Sequence, residues 1–220
     1  MDTINNHPTD ELLVSYSAAS LPLSQALCIS VHLENCGECS QKFQRLNQVG
    51  SELMLQLKPS PPSPGLKDQL LDQLDSITEN AETDRHSPGN TSVPRCLHQF
   101  IKTGYEDISW NRLSRDIQSY ELCRDQNNAK VELLRIRPGG TSNTHTHMGD
   151  EYTVILEGSF SDEAGLYHKG DFLLRDASDQ HTPVATLDKY CICLAVTEAP
   201  IQLTGFFGRL LNPFIRRSYA

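Results

Sequence analysis

Residues 139–158 read GGTSNTHTHMGDEYTVILEG, and the spacing of polar groups in this stretch decides how the C-terminal half folds. His145 and His147 are one residue apart. On a strand, where side chains alternate with a period of two, both imidazoles project from one face. The Gly149-Asp150 pair supplies a turn that can bring Glu151 back toward them. A third histidine, His181, follows Gly170-Asp171 on a later strand. Three imidazoles and one carboxylate are a ligand set for a first-row divalent metal.

Short β-like runs flank this stretch on both sides: ISWNRL (108–113), IQSYELC (117–123), KVELLRI (130–136), YTVILEG (152–158), FSDEAGLYHKGD (160–171) and YCICLAVT (190–197). Glycines at 139, 140, 158, 165 and 170 punctuate them, so the region reads as an antiparallel sandwich or small barrel. Trp110 is expected to fill its core, and His168 to lie in a solvent-exposed turn. Cys191 and Cys193 point to one face, the barrel interior. At a same-face spacing of roughly 6.5 to 7 Å they are at or beyond the reach of an unstrained disulfide, and act as small buried hydrophobes. Cys28, Cys96 and Cys123 are expected to pack in cores.

The 139–158 stretch is similar to the first cupin motif at every defining position. A second cupin motif is looser: Gly170 and His181 are present, but the usual proline and glycine between them are replaced around Asp176-Ala177-Ser178. The resemblance implies an all-β cupin, or double-stranded β-helix, barrel over residues 98–205, with a tail at 206–220.

The N-terminal half has a different texture. Apolar residues recur at helical spacing over 9–57, through Leu12, Leu13 and Tyr16, then Leu27, Val31 and Leu33, then Phe43, Leu46, Val49, Leu53 and Leu57, which predicts three helices. Thr9 or Asp10 can cap the first, and Pro22 suits the start of the second. The run KPSPPSPG (58–65) breaks the pattern. A fourth amphipathic helix follows, with Leu66, Leu70, Leu71, Leu74 and Ile77 on one face. The polar, aperiodic stretch ENAETDRHSPGNTSVP (79–94) marks a boundary, giving a helical domain at 1–80 and a linker at 81–97.

Within the helical region, His32-Leu-Glu-Asn-Cys36-Gly-Glu-Cys39 places His32 and Cys36 one helical turn apart, and Gly37 permits a tight turn that swings Cys39 to the same point. Nitrogen and sulfur donors in this pattern suit tetrahedral Zn²⁺, which needs a fourth donor. His7 is the candidate, with Asp10, Glu34 and Cys28 as alternatives. The stretch ALCISVHLENCGECSQKFQ (26–44), after a short acidic helix and before a helix that follows a proline-rich break, resembles the zinc-binding anti-sigma family. Combined with a cupin and the stretch GDFLLRDASDQHTPVATLDKYCICL (170–194), the whole chain resembles the ChrR type of anti-sigma factor.

That resemblance implies an α + β two-domain protein: a small helical zinc-binding anti-sigma domain, then the cupin barrel. It implies ligation by His7, His32, Cys36 and Cys39 at one zinc site and by His145, His147, Glu151 and His181 at a second, where Fe, Mn or Ni could replace zinc. It further implies a one-to-one complex with an extracytoplasmic-function sigma factor, released on singlet-oxygen or peroxide stress sensed by the cupin, and no enzymatic activity. The alternative is a metal-dependent cupin dioxygenase carrying a helical regulatory domain.

Composition agrees with a regulator inside the cell. Seven cysteines without an export signal at MDTINNHPTDELL point to reduced thiols and metal ligands, and so to the cytoplasm. The net charge of −9 disfavours direct nucleic-acid binding. Nine acidic and four basic residues fall in 1–78, so the helical region carries −5 of it and suits a basic protein partner. No apolar run is long enough to span a membrane. The tail TGFFGRLLNPFIRRSYA, interrupted at Asn212-Pro213, is expected to pack on the barrel.

Overall fold

In the computed structural model, which describes residues 4–76, 92–204 and 212, four helices precede twelve short strands. Helix α1 (Asp10–Ser17) is capped by Thr9, whose hydroxyl accepts the Leu12 N–H at 3.3 Å, and Asp10 and Glu11 sit where the helix dipole favours negative charge. Helix α2 (Leu23–Asn35) starts directly after Pro22, and α3 (Gly37–Leu55) starts one residue after α2 ends. The break between them falls at Cys36, in extended backbone with φ −108° and ψ 106°. Gly37 opens α3 outside the left-handed region, so the change of direction expected at Gly37 is made by the residue before it. Helix α4 (Leu66–Ser76) follows the proline-rich break; Ile77 lies outside the described residues.

The strands are β1 (Asn111–Arg112), β2 (Ile117–Arg124), β3 (Lys130–Ile136), β4 (His145–His147), β5 (Glu151–Glu157), β6 (Ser159–Asp162), β7 (Gly165–His168), β8 (Phe172–Arg175), β9 (Gln180–His181), β10 (Val184–Ala185), β11 (Cys191–Thr197) and β12 (Ile201–Leu203). They pair antiparallel in three sheets of order β1-β2-β3-β11-β5-β8, β10-β6-β7 and β12-β4-β9. The six-stranded sheet is covered on both sides. One face turns Ile136, Ile155, Leu173 and Cys191 into the barrel, where they pack with Phe160, Tyr167 and Ala185. The opposite face turns Val131, Leu133, Val154, Leu194 and Val196 onto Leu27, Ile29 and Val31 of α2 and Leu13 of α1. Double coverage explains why β11, CICLAVT, is buried along its whole length and lacks hydrophobic alternation.

The helical region and the barrel therefore share one apolar core, and polar contacts fasten its margin. The Glu34 carboxylate accepts the Arg95 and Cys96 N–H groups at 2.9 and 3.0 Å, and Ser24 Oγ donates to Asp125 at 2.5 Å. Val93 and Leu97, in the segment expected to be linker, are buried, and Arg95–Leu97 forms a 3₁₀ turn against α2. The linker therefore stops short of residue 97, because these apolar side chains complete the core beneath Glu34. Trp110 is half-buried at the rim instead of filling the core; its Nε1–H donates to Tyr105 O at 3.0 Å and Arg135 stacks 4.6 Å above its ring. The expected tail lies outside the described residues except Asn212, whose side chain exchanges two hydrogen bonds with the backbone of Leu203. Among the described residues, no helix is long and apolar enough to cross a membrane.

Candidate metal centres

The extended residue between α2 and α3 organises the first cluster. His32 lies in the last turn of α2, Cys36 is at the break, and Cys39 is in the first turn of α3, where its N–H points at Cys36 Sγ at 3.5 Å. His7, just ahead of α1, completes the group, with Nδ1 3.4 Å from both sulfurs. One donor atom from each of the four residues lies within 4.8 Å of all the others. The alternatives to His7 are engaged elsewhere: Asp10 pairs with Lys42 at 3.2 Å, Glu34 holds the 3₁₀ turn, and Cys28 Sγ lies 3.8 Å from Tyr152 O.

His32 tests whether this donor set suits a cation. It is wholly buried, its Nδ1 is 2.8 Å from Gly170 O, and its Nε2 has no hydrogen-bond partner. A buried nitrogen without a partner is costly unless something else satisfies it. Burial lowers the His32 pKa to about 4, so the ring is neutral and Nδ1 donates to Gly170 O, which leaves the Nε2 lone pair facing the thiols. Burial, then the neighbouring Cys36, pushes the Cys39 thiol up to about 12. A soft divalent cation would offset both penalties, and two sulfurs with two imidazoles are the tetrahedral set zinc prefers.

The second cluster sits in the barrel. His145 and His147 on β4 and His181 on β9, which pairs with β4, turn their Nε2 atoms toward one another; His181 Nε2 is 3.1 Å from that of His145 and 3.2 Å from that of His147. Each ring is fixed from behind. His145 Nδ1 donates to Asn143 O at 2.8 Å, His147 Nδ1 lies 3.1 Å from Glu151, and His181 Nδ1 lies 3.2 Å from Asp162. Such contacts at the far nitrogen select the tautomer whose Nε2 can ligate. Burial lowers the His145 pKa, which also favours the neutral ligand.

The structure brings the three histidines together and sets Glu151 behind His147, not among the converging Nε2 atoms. Burial acts to raise the Glu151 pKa, but the hydrogen bond and charges of the histidines outweigh it and hold the carboxylate at about 2. Sequence reasoning missed Asp162. Its nearly inaccessible carboxylate also takes Arg175 at 3.1 Å and the Tyr167 hydroxyl at 3.0 Å. The signal it left is local: Asp162-Glu-Ala-Gly165 is a turn whose first carboxylate accepts the Ala164 N–H. His168 is half-buried on β7 and belongs to neither cluster. All seven cysteines are unbridged.

The ChrR cupin-like domain family matches residues 98–200. The anti-sigma-E factor ChrR of Cereibacter sphaeroides is 33% identical over 217 residues, covering 97% of this chain and 99% of its own. The chain belongs to the ChrR family of anti-sigma factors. In the crystal structure of Rhodobacter sphaeroides SigE in complex with the anti-sigma ChrR, the matched chain superposes with a TM-score of 0.77 at 31% identity, covering 89% of this chain and 100% of that one. For a ChrR-family protein, both clusters are candidate metal centres, one in the helical region and one in the cupin.

Proposed function

We propose that this chain binds an extracytoplasmic-function sigma factor one to one through its helical region, holds zinc at both clusters, and releases its partner when singlet oxygen or peroxide alters the barrel centre. The cytoplasm is where such a partner works. The observation that carries the binding role is an apolar surface its own fold leaves uncovered. Every described side chain of α4 is exposed, including Leu70, Leu71 and Leu74, and Val49, Leu53 and Met54 of α3 and Leu57 just beyond it are exposed as well. Val49 also borders a groove between α1 and α3 lined by Leu13, Val14 and Leu46, with Asp10, Lys42 and Arg45. Amphipathic helices with unburied leucine faces are built to enclose a partner. The crystallised relative, matched over its whole length, is in complex with SigE, which supports a sigma factor as that partner.

Bound at the N-terminal quartet, zinc supplies a closed structural centre; at the barrel, a divalent ion supplies an electrophilic one. The chain's own residues orient the ligands and exclude water from both. Nothing in this role requires turnover, so the protein is read as a non-enzymatic regulator.

Co-purification with an extracytoplasmic-function sigma factor, followed by mass and metal analysis, tests the proposal. The expected product is a one-to-one complex carrying zinc, and Leu70→Asp combined with Leu74→Asp is expected to abolish it with the fold intact. Undiminished binding by that variant would sink the assignment of the surface. Iron in the barrel, with oxygen consumed alongside a small organic substrate, would instead favour a dioxygenase.

A further inference from the structure

The turn from β7 to β8 reaches out of the barrel and touches one member of the N-terminal quartet, His32, and the residues immediately before another, His7. Gly170 O accepts from His32 Nδ1 at 2.8 Å. Asp171, fully buried, accepts the Asn5 and Asn6 N–H groups through Oδ1 at 2.9 and 3.0 Å, immediately before His7, while Oδ2 accepts the His168 N–H at 2.7 Å. Phe172 N–H donates to Asn6 O at 2.9 Å, so the segment carrying His7 adds a rung to β8, the edge of the six-stranded sheet. Gly170 has φ +93°, and a Cβ there would lie 2.6 Å from Ile4 Cδ1 and 3.3 Å from Asn35 Cβ. At this φ glycine lets the turn approach both the segment before α1 and the end of α2 this closely.

We infer that Gly170 and Asp171 of the barrel are positioning residues for the N-terminal metal centre, orienting His32 and His7 and so setting how tightly the helical region holds its metal. The inference rests on reading the quartet as a metal site. Gly170 O keeps the His32 proton on Nδ1, which directs the Nε2 lone pair at the thiols. Asp171 pins a segment that precedes the first helix and would otherwise be free to fray. Contacts of this kind behind metal ligands commonly change affinity by roughly 10- to 100-fold.

The test uses the full chain, stripped of metal under reducing conditions and titrated with Co²⁺. Thiolate-to-cobalt charge transfer reports the Cys36 and Cys39 site alone, since the barrel cluster offers only imidazole and carboxylate, and competition with Zn²⁺ then gives the affinity. Asp171→Ala is expected to weaken the thiolate site by roughly tenfold or more and to leave the barrel's imidazole site unchanged. Asp171→Asn, whose amide oxygen can still accept from Asn5 and Asn6 although its NH2 group would face the His168 N–H, is expected to recover part of the loss, and Gly170→Ala to weaken the site through strain at its left-handed φ. Wild-type affinity in Asp171→Ala overturns the inference, as does equal loss at both sites without recovery in Asp171→Asn. If wild-type protein shows no thiolate band, the metal reading of the quartet itself fails.

Discussion

His32 and Cys39 show what loading the first cluster demands of single residues. Burial keeps His32 neutral down to about 4, so at physiological pH its lone pair is available without losing a proton. The Cys39 thiol, pushed up to about 12, must lose a proton to ligate. Metal uptake therefore releases protons, and affinity rises with pH by about one decade per unit for each proton displaced. Zinc added to metal-free protein in weak buffer should acidify the solution, and competition isotherms should tighten from pH 6 to pH 8 by about that slope. A flat response would mean the thiols are already ionised. Asp162 makes the corresponding prediction in the barrel. Asp162→Ala removes the group behind His181 and is expected to weaken barrel metal retention by roughly 10- to 100-fold, read by equilibrium dialysis, without changing the thiolate-cobalt spectrum.

At the scale of elements, α2 and α4 have similar leucine-bearing patterns and opposite fates. Ile29 on α2 is buried between Leu13 and the outer face of the sheet, so Ile29→Ala should cost roughly 2–5 kcal/mol and lower the melting temperature. Leu74 on α4 is 63% exposed, and Leu74→Ala should shift stability by less than about 0.5 kcal/mol while weakening the partner complex. Thermal unfolding of both variants separates a core helix from a docking helix. The helices, the long strands and the histidine pair of β4 were legible in sequence because periodicity is a local signal. The two-residue strand β10 was not, since nothing that short carries a period, and β9 was expected only through His181. Asp162 and Asp171 were hidden for a related reason: Asp162 meets His181 across 19 residues, and Asp171 meets Asn5 across 166. Only the folded sheet makes such residues neighbours. Glu151 was visible as a carboxylate near the histidines, but spacing could not say which side of His147 it would take.

At the scale of the whole molecule, a polar stretch between two textures of sequence suggests two units on a tether, yet the described residues bury a common core. Leu27, Ile29 and Val31 of α2 complete the sheet's outer face, and the strands beneath them would expose Val131, Leu133, Val154 and Val196 without the helix. Separating the halves would bare this apolar surface on both, so each stabilises the other. Unfolding is therefore expected to be one cooperative transition: the loss of far-ultraviolet helical ellipticity and the change in fluorescence of Trp110, which packs at the margin of the sheet's outer-face cluster, should coincide along a urea titration. Ile29→Ala should move both curves together, although Trp110 is not on α2. If the helical signal melts first and the Trp110 signal keeps its wild-type midpoint, the shared core does not couple the halves, and changes at the barrel would have to reach the helical region by another route.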